Sequence, residues 1–289
     1  MPVQWAQLGA GKTLVASSRR AWLQRPQLGA LNLRGEMPDV APATSESTRQ
    51  LLDGAIAAAE RAAPDRAPPA MTPRRWAWQL VAQWYTAHHS VALLPDLIER
   101  FERADRPDLD TFARRKLDEE TGHDEFAIDG LTAIGYDTAA LVRAVEVSPD
   151  AGALVEYARA CVRSDAPVEF LGYAYALERR VIRITPEMIA AIDALFDPGV
   201  DATSGLRAHA GVLDIEHVEE FVAFVAGLPG RDRARIALGC FRTTEIACAP
   251  LPGQHPAETE LQRRLAPFLR NDVAALVAAQ IDPQRGDDR

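Results

Sequence analysis

The segment richest in reactive side chains is His209-Ala-Gly-Val-Leu-Asp214-Ile-Glu-His217, set in an otherwise apolar helical stretch. Asp214 and His217 are three residues apart and share a helix face. His209 stands five before Asp214, which on a regular helix turns it away from that face by roughly 140°. A π-bulge, one extra residue in one turn, would bring it back; such bulges are frequent at functional sites, and Gly211 is a place for one. Two imidazoles and a carboxylate are costly to bury unpaired, and a metal ion resolves that cost by binding neutral imidazole nitrogen and carboxylate oxygen. The competing reading is a solvated polar face, to which Glu216, Glu219 and Glu220 would belong.

A second set lies in Asp118-Glu119-Glu120-Thr121-Gly122-His123-Asp124-Glu125. Glu120 and His123 share one side of a continuous helix, and Glu-x-x-His is the building block of carboxylate-bridged dimetal bundles. Glu119, four before His123, competes for the role, and an acid-rich surface turn with one histidine would look the same. Gly122 needs a reason, since a mid-helix glycine costs about 1 kcal/mol relative to alanine; close approach of a metal, a substrate or another helix would supply one. The third signal is the lone acid ending Phe170-Leu-Gly-Tyr-Ala-Tyr-Ala-Leu177-Glu178, whose simpler explanation is an ion pair with Arg179 or Arg180. Glu169, in a first turn after Pro167, complements the helix dipole and is assigned to structure.

Together Glu120, His123, Glu178, His209, Asp214 and His217 supply three histidines and three carboxylates from three separated segments. A mixed nitrogen and oxygen set of six suits two first-row metal ions of the iron or manganese type, with positions left open to water, dioxygen or substrate. The elements that must hold them are helical. Thr44-Ser45-Glu46-Ser47 caps a helix of about four turns that ends before the proline-rich 64–73 stretch. Helices are then predicted near 73–91, 93–104, 108–134, 137–146, 149–164, 167–182, 186–196, 204–227, 230–245 and 257–280, each break falling at a proline or glycine. Strand signals are missing and no repeat of fixed period occurs. Residues 1–44 read as a poorly structured extension.

On these residues the chain resembles the haem-oxygenase-like di-iron oxidases and oxygenases, whose helical scaffold is shared with thiaminase-like and PQQ-synthase-like proteins. The matching motifs are Glu-Glu-Thr-Gly-His-Asp-Glu-Phe at 119–126, Leu-Gly-Tyr-Ala-Tyr-Ala-Leu-Glu at 171–178 and the 209–217 segment, and the resemblance covers about residues 73–245. It implies an all-α haem-oxygenase-like bundle over 45–289 and metal binding by Glu120, His123, Glu178, His209, Asp214 and His217. It also implies two Fe(II) ions, with Mn as an alternative, and dioxygen as co-substrate. The expected reaction is oxidation of a small carboxylate-bearing substrate, an amino acid or derivative before a fatty acid, in making a specialised metabolite. An external electron donor and a homodimer are admitted. The family's third motif carries three residues between its first histidine and the aspartate against four here, a difference the bulge would absorb. Gln83, Tyr85, His88 and His89 lie on an earlier helix that would face the cavity in such a fold, with His88 a candidate to orient a ligand or touch substrate.

Other readings remain open. A thiaminase-like enzyme would need no metal and would use Cys161 as nucleophile; a PQQ-synthase-like oxidase would need no cofactor; a ferritin-like protein would show carboxylates on four helices. A non-catalytic metal-binding or interaction module is the remaining class. Ala6-Gln-Leu-Gly-Ala-Gly-Lys12-Thr13 loosely imitates a phosphate-binding loop, but only five residues precede it, leaving no room for the strand such a loop follows. The net charge of -9 and the pI near 5.2 argue against nucleic-acid or anionic-membrane partners. Cys161, Cys240 and Cys248 are too far apart for a disulfide framework or a CxxC site. With no signal peptide and no apolar run of roughly 20 residues, the expected location is the cytoplasm.

Overall fold

Prolines and capping hydroxyls set the helix boundaries much as the sequence reads. The computed structural model describes residues 3–9, 11–24, 43–65, 67–209 and 212–270, the side chains of His209 and of residues 212–216 excepted. The helices are α1 (Ser45–Ala62), α2 (Pro73–Val91), α3 (Leu94–Arg103), α4 (Pro107–Glu120), α5 (Glu125–Ala133), α6 (Thr138–Ala144), α7 (Pro149–Arg163), α8 (Glu169–Val181), α9 (Pro186–Asp193), α10 (Ser204–His209), α11 (Val212–Gly227), α12 (Gly230–Cys248) and α13 (Glu258–Leu265). Thr44, Thr72 and Thr185 each accept a first-turn amide, and Pro73, Pro107, Pro149 and Pro186 occupy first-turn positions, where a missing N–H costs nothing. Among the described residues no helix is long and apolar enough to cross a membrane.

Two expectations are corrected. The first concerns the extension, which over residues 4–24 is a three-stranded antiparallel sheet, β1 (Gln4–Gly9), β2 (Lys12–Ala16) and β3 (Ala21–Gln24), in the order β1-β2-β3. Ala6, Leu8, Leu14 and Ala16 join the main core, while Trp5 and Val15 pack with Ala234 of α12 on the other face. A strand covered on both faces shows no polar alternation, so the period-two signal is absent from the sequence. The buried Gln4 ties the sheet down, accepting from Arg233 Nε at 2.7 Å and donating to Ser47 Oγ at 2.8 Å. A strand therefore does precede Lys12-Thr13, but these residues open β2 rather than a helix, and the phosphate-loop reading fails on that ground. Residues 25–42 lie outside the described residues.

The second correction concerns the predicted 108–134 helix, which is two helices. The chain turns through 121–124, where Gly122 has φ +90°, a left-handed conformation that glycine adopts without steric cost. The conformation of the turn, rather than close approach of a metal, accounts for this glycine, since a Cβ there would meet nothing within 4 Å. Close approach explains a different pair: α8 and α12 cross at Gly172 and Gly239, where an added Cβ would lie 2.0 Å from Ile236 O and 2.3 Å from Glu169 O, respectively.

Two apolar clusters divide the helices. One combines the sheet with α1, α3, α4, α7, α8, α11 and α12, and the other gathers α2, α5, α6 and α13 around Trp76, Trp78 and Leu131. The 121–124 turn joins α4 of the first to α5 of the second, so the second sequence motif sits on the seam between them.

Candidate functional site

Aromatic contacts fix how the site helices face one another. Phe112 of α4 meets Phe221 and Phe224 of α11 with ring centroids 5.2 and 4.1 Å apart, and Tyr175 of α8 lies 5.2 Å from Phe221. Three residues further along α4, Arg115 meets Glu220, 3.1 Å away. Advancing on α4 is thus retreating on α11. On α8 the step from Tyr175 reaches Glu178, whose Oε1 lies 3.2 Å from Lys116 Nζ. An aromatic layer of Phe112, Tyr175 and Phe221 therefore underlies a polar layer of Lys116, Glu119 and Glu178.

Glu120 and His123 face each other across the turn, Oε2 to Nδ1 at 2.9 Å, about a third exposed each. They meet because the chain bends, with the His123 amide donating to Glu120 O, whereas the sequence reading placed them on one continuous helix face. Glu119 points elsewhere: its Oε2 is 2.8 Å from Lys116 Nζ and its Oε1 3.4 Å from Arg115 Nε. Where the simpler reading had Arg179 or Arg180, the ion pair described for Glu178 is with Lys116. Arg179 instead grips Asp53 of α1 through two hydrogen bonds of 2.9 Å, and Tyr175 donates to the same carboxylate, which fixes the rotation of α8 and leaves Glu178 facing α4.

His217 stands on α11, half-buried, one turn before Phe221. His209 ends α10, one turn past Gly205, where α10 packs on Phe126; the Phe126 ring in turn lies 5.6 Å from that of His123. Asp214 is one turn before His217 on α11. The side chains of His209 and Asp214, and the bulge at Gly211, lie outside the described residues. Among the described residues no group of three or more His, Cys, Asp or Glu side chains stands at metal-binding geometry.

Sequence reasoning missed Lys116. Its side chain is 8% exposed, and the chain holds only one other lysine, Lys12, among 32 basic residues; a lysine four before Glu120 was the available signal. Burial alone draws the ammonium toward its neutral form, but Glu178, Glu119 and Glu120 outweigh that and hold its pKa above the ordinary lysine value.

His88 reaches the same turn from α2: its Nδ1 is 2.8 Å from Asp124 Oδ2, next in sequence to His123, while its ring stacks on Trp84 at 5.2 Å. Beside it, Val81, Trp84, Tyr85 and His89 of α2 line a cavity of about 400 Å³ with Val142, Val145 and Val147. Burial, then the charges of His88 and Arg159, lower the pKa of His89, which favours neutral imidazole at that wall. Cys161 is buried in the main core, and burial pushes its thiol up to about 12, against a weaker lowering by the neighbouring Tyr157 hydroxyl. That is the reverse of the activation a cysteine nucleophile needs.

No family model and no curated protein matches the chain. Crystal structures that resemble it include two with the following likeness. A domain of unknown function with a heme oxygenase-like fold from Shewanella denitrificans OS217 superposes with a TM-score of 0.54 at 16% identity, covering 84% of this chain and 94% of that one. A TenA homolog from Pseudomonas syringae pv. tomato DC3000 superposes with a TM-score of 0.51 at 14% identity, covering 74% of this chain and 98% of the other. The chain has the haem-oxygenase-like helical fold, with the small N-terminal sheet packed against α1 and α12.

Proposed function

We propose that the chain is a non-haem iron oxidase or oxygenase that uses dioxygen on a small carboxylate-bearing substrate, an amino acid or derivative. The observation carrying this reading is the Glu120–His123 pair at 2.9 Å, one turn along α4 from Lys116, which holds Glu178 of α8. The residues present fit a divalent ion: the Glu120–His123 pair offers oxygen and nitrogen donors, and Glu119 and Glu178 already converge on a buried cation, the Lys116 ammonium. Glu120, His123, Glu178 and His217 would hold metal from the described part of the chain, joined by Asp214 and His209 of the same motif set. Bound iron would supply the electrons that dioxygen needs, with two Fe(II) ions the expected complement.

The remaining roles belong to the polypeptide. Asp124, held by His88, ties the 121–124 turn to α2 and so steadies His123. The valine-lined cavity next to His88 would take the apolar part of a substrate, and the His89 imidazole, neutral at that wall, would offer one hydrogen-bonding nitrogen without a charge to desolvate. Anaerobic Fe(II) titration of the metal-free protein, followed by mixing with oxygen, tests the reading. Iron bound well above background together with a transient visible band is the expected outcome; no binding would end it.

A further inference from the structure

Lys116 poses a question that the ligand set does not answer. Its Nζ lies 3.2 Å from Glu178 Oε1, a candidate ligand atom, and 2.8 Å from Glu119 Oε2, one turn along the same helix. Glu119 Oε2 is itself buried and accepts no hydrogen bond; the ammonium is its charge contact rather than a well-angled donor. Glu178 is thus engaged by a cation from another helix, while the Glu120–His123 pair lies one turn along α4 from Lys116.

Building on the iron reading above, we infer that Lys116 and a metal ion compete for Glu178, so that the chain takes one divalent ion readily and a second only after Lys116 gives up that carboxylate. Glu119 provides the place to which the ammonium retreats, because it already touches Lys116 from within α4 and no backbone movement is required. A lysine suits this exchange. Its compact ammonium rides a flexible stem, whereas a guanidinium would grip the carboxylate with two parallel hydrogen bonds. In a chain whose basic residues are otherwise almost all arginine, the one buried lysine stands at the position where a releasable cation is wanted.

The test is a Mn(II) titration of the metal-free full-length protein, followed by calorimetry and by the loss of the free-ion electron spin resonance signal, in the wild type, Lys116→Met and Lys116→Arg. Wild type is expected to bind in two steps with the second at least about tenfold weaker. Lys116→Met should tighten the second step by at least about tenfold, while Lys116→Arg keeps the steps apart. Metal-free Lys116→Met should also melt at a lower temperature than wild type and regain it on adding Mn(II); if that variant folds only when Mn(II) is present, the same competition is supported. A second step of equal affinity in wild type and Lys116→Met would overturn the competition and leave the metal site standing. Absence of Mn(II) binding in every variant would overturn both.

Discussion

The two sides of α8 solve opposite problems. Toward α12 the helix is bare, with Gly172 set against Gly239 so closely that no side chain fits between the backbones. Toward α4 it presents Glu178 to a buried lysine, in a layer of charge resting on aromatic rings. The first contact is dense and dry and gains from dispersion and excluded water. The second holds excess negative charge that an apolar core would not tolerate without a cation. One helix thus carries a close backbone crossing on one face and a charged cluster on the other, and Arg179, locked to Asp53, keeps the faces from rotating into each other.

That contrast can be broken from either side. On the charged side, Asp214→Ala or His217→Ala is expected to reduce iron-dependent oxygen uptake to background while the circular dichroism spectrum stays helical; full activity in both would remove the metal reading. His209→Ala tests the bulge separately, since unchanged iron binding would show that a regular helix keeps this histidine off the metal. On the dry side, Gly172→Ala should cost about 3 kcal/mol of stability in denaturant unfolding, because the new methyl collides with backbone that cannot move aside. Arg179→Ala is expected to cost about 1 kcal/mol, the pair being partly exposed, and to weaken metal binding by letting α8 turn. A Gly172→Ala protein of wild-type stability would mean that the two helices sit further apart. The smallest effect is reserved for the rival chemistry: Cys161→Ala should leave activity unchanged, and the native thiol should resist iodoacetamide at pH 8, where a group titrating near 12 is about one part in ten thousand thiolate. Rapid labelling of Cys161 in folded protein would restore it as a nucleophile candidate.

Much of the helical frame was legible because its boundaries are written in local chemistry. Thr72-Pro73 starts a helix at Pro73, and Thr44 caps α1, whatever the rest of the molecule does. The N-terminal sheet was not legible, since Trp5, Ala6, Leu8, Leu14 and Val15 are buried on two faces and carry no alternating pattern. Gly122 was visible as an oddity and misread, because a glycine in a turn and a glycine in a tight crossing look alike in one dimension. Gly172, read as an ordinary member of the Glu178 motif, turned out to be the crossing point.

By itself the sequence determined the inventory: which segments are helical and which six side chains could form a nitrogen and oxygen set. Those properties depend on residue type and on spacings of a few residues, where backbone geometry is predictable. Only the tertiary structure decided the partners. Glu120 was matched to His123 by a bend, Arg179 was given to Asp53, Glu178 was turned toward Lys116, and Cys161 was sealed into the core. Pairings between residues 62 or 126 positions apart follow from how helices pack, which no local pattern encodes.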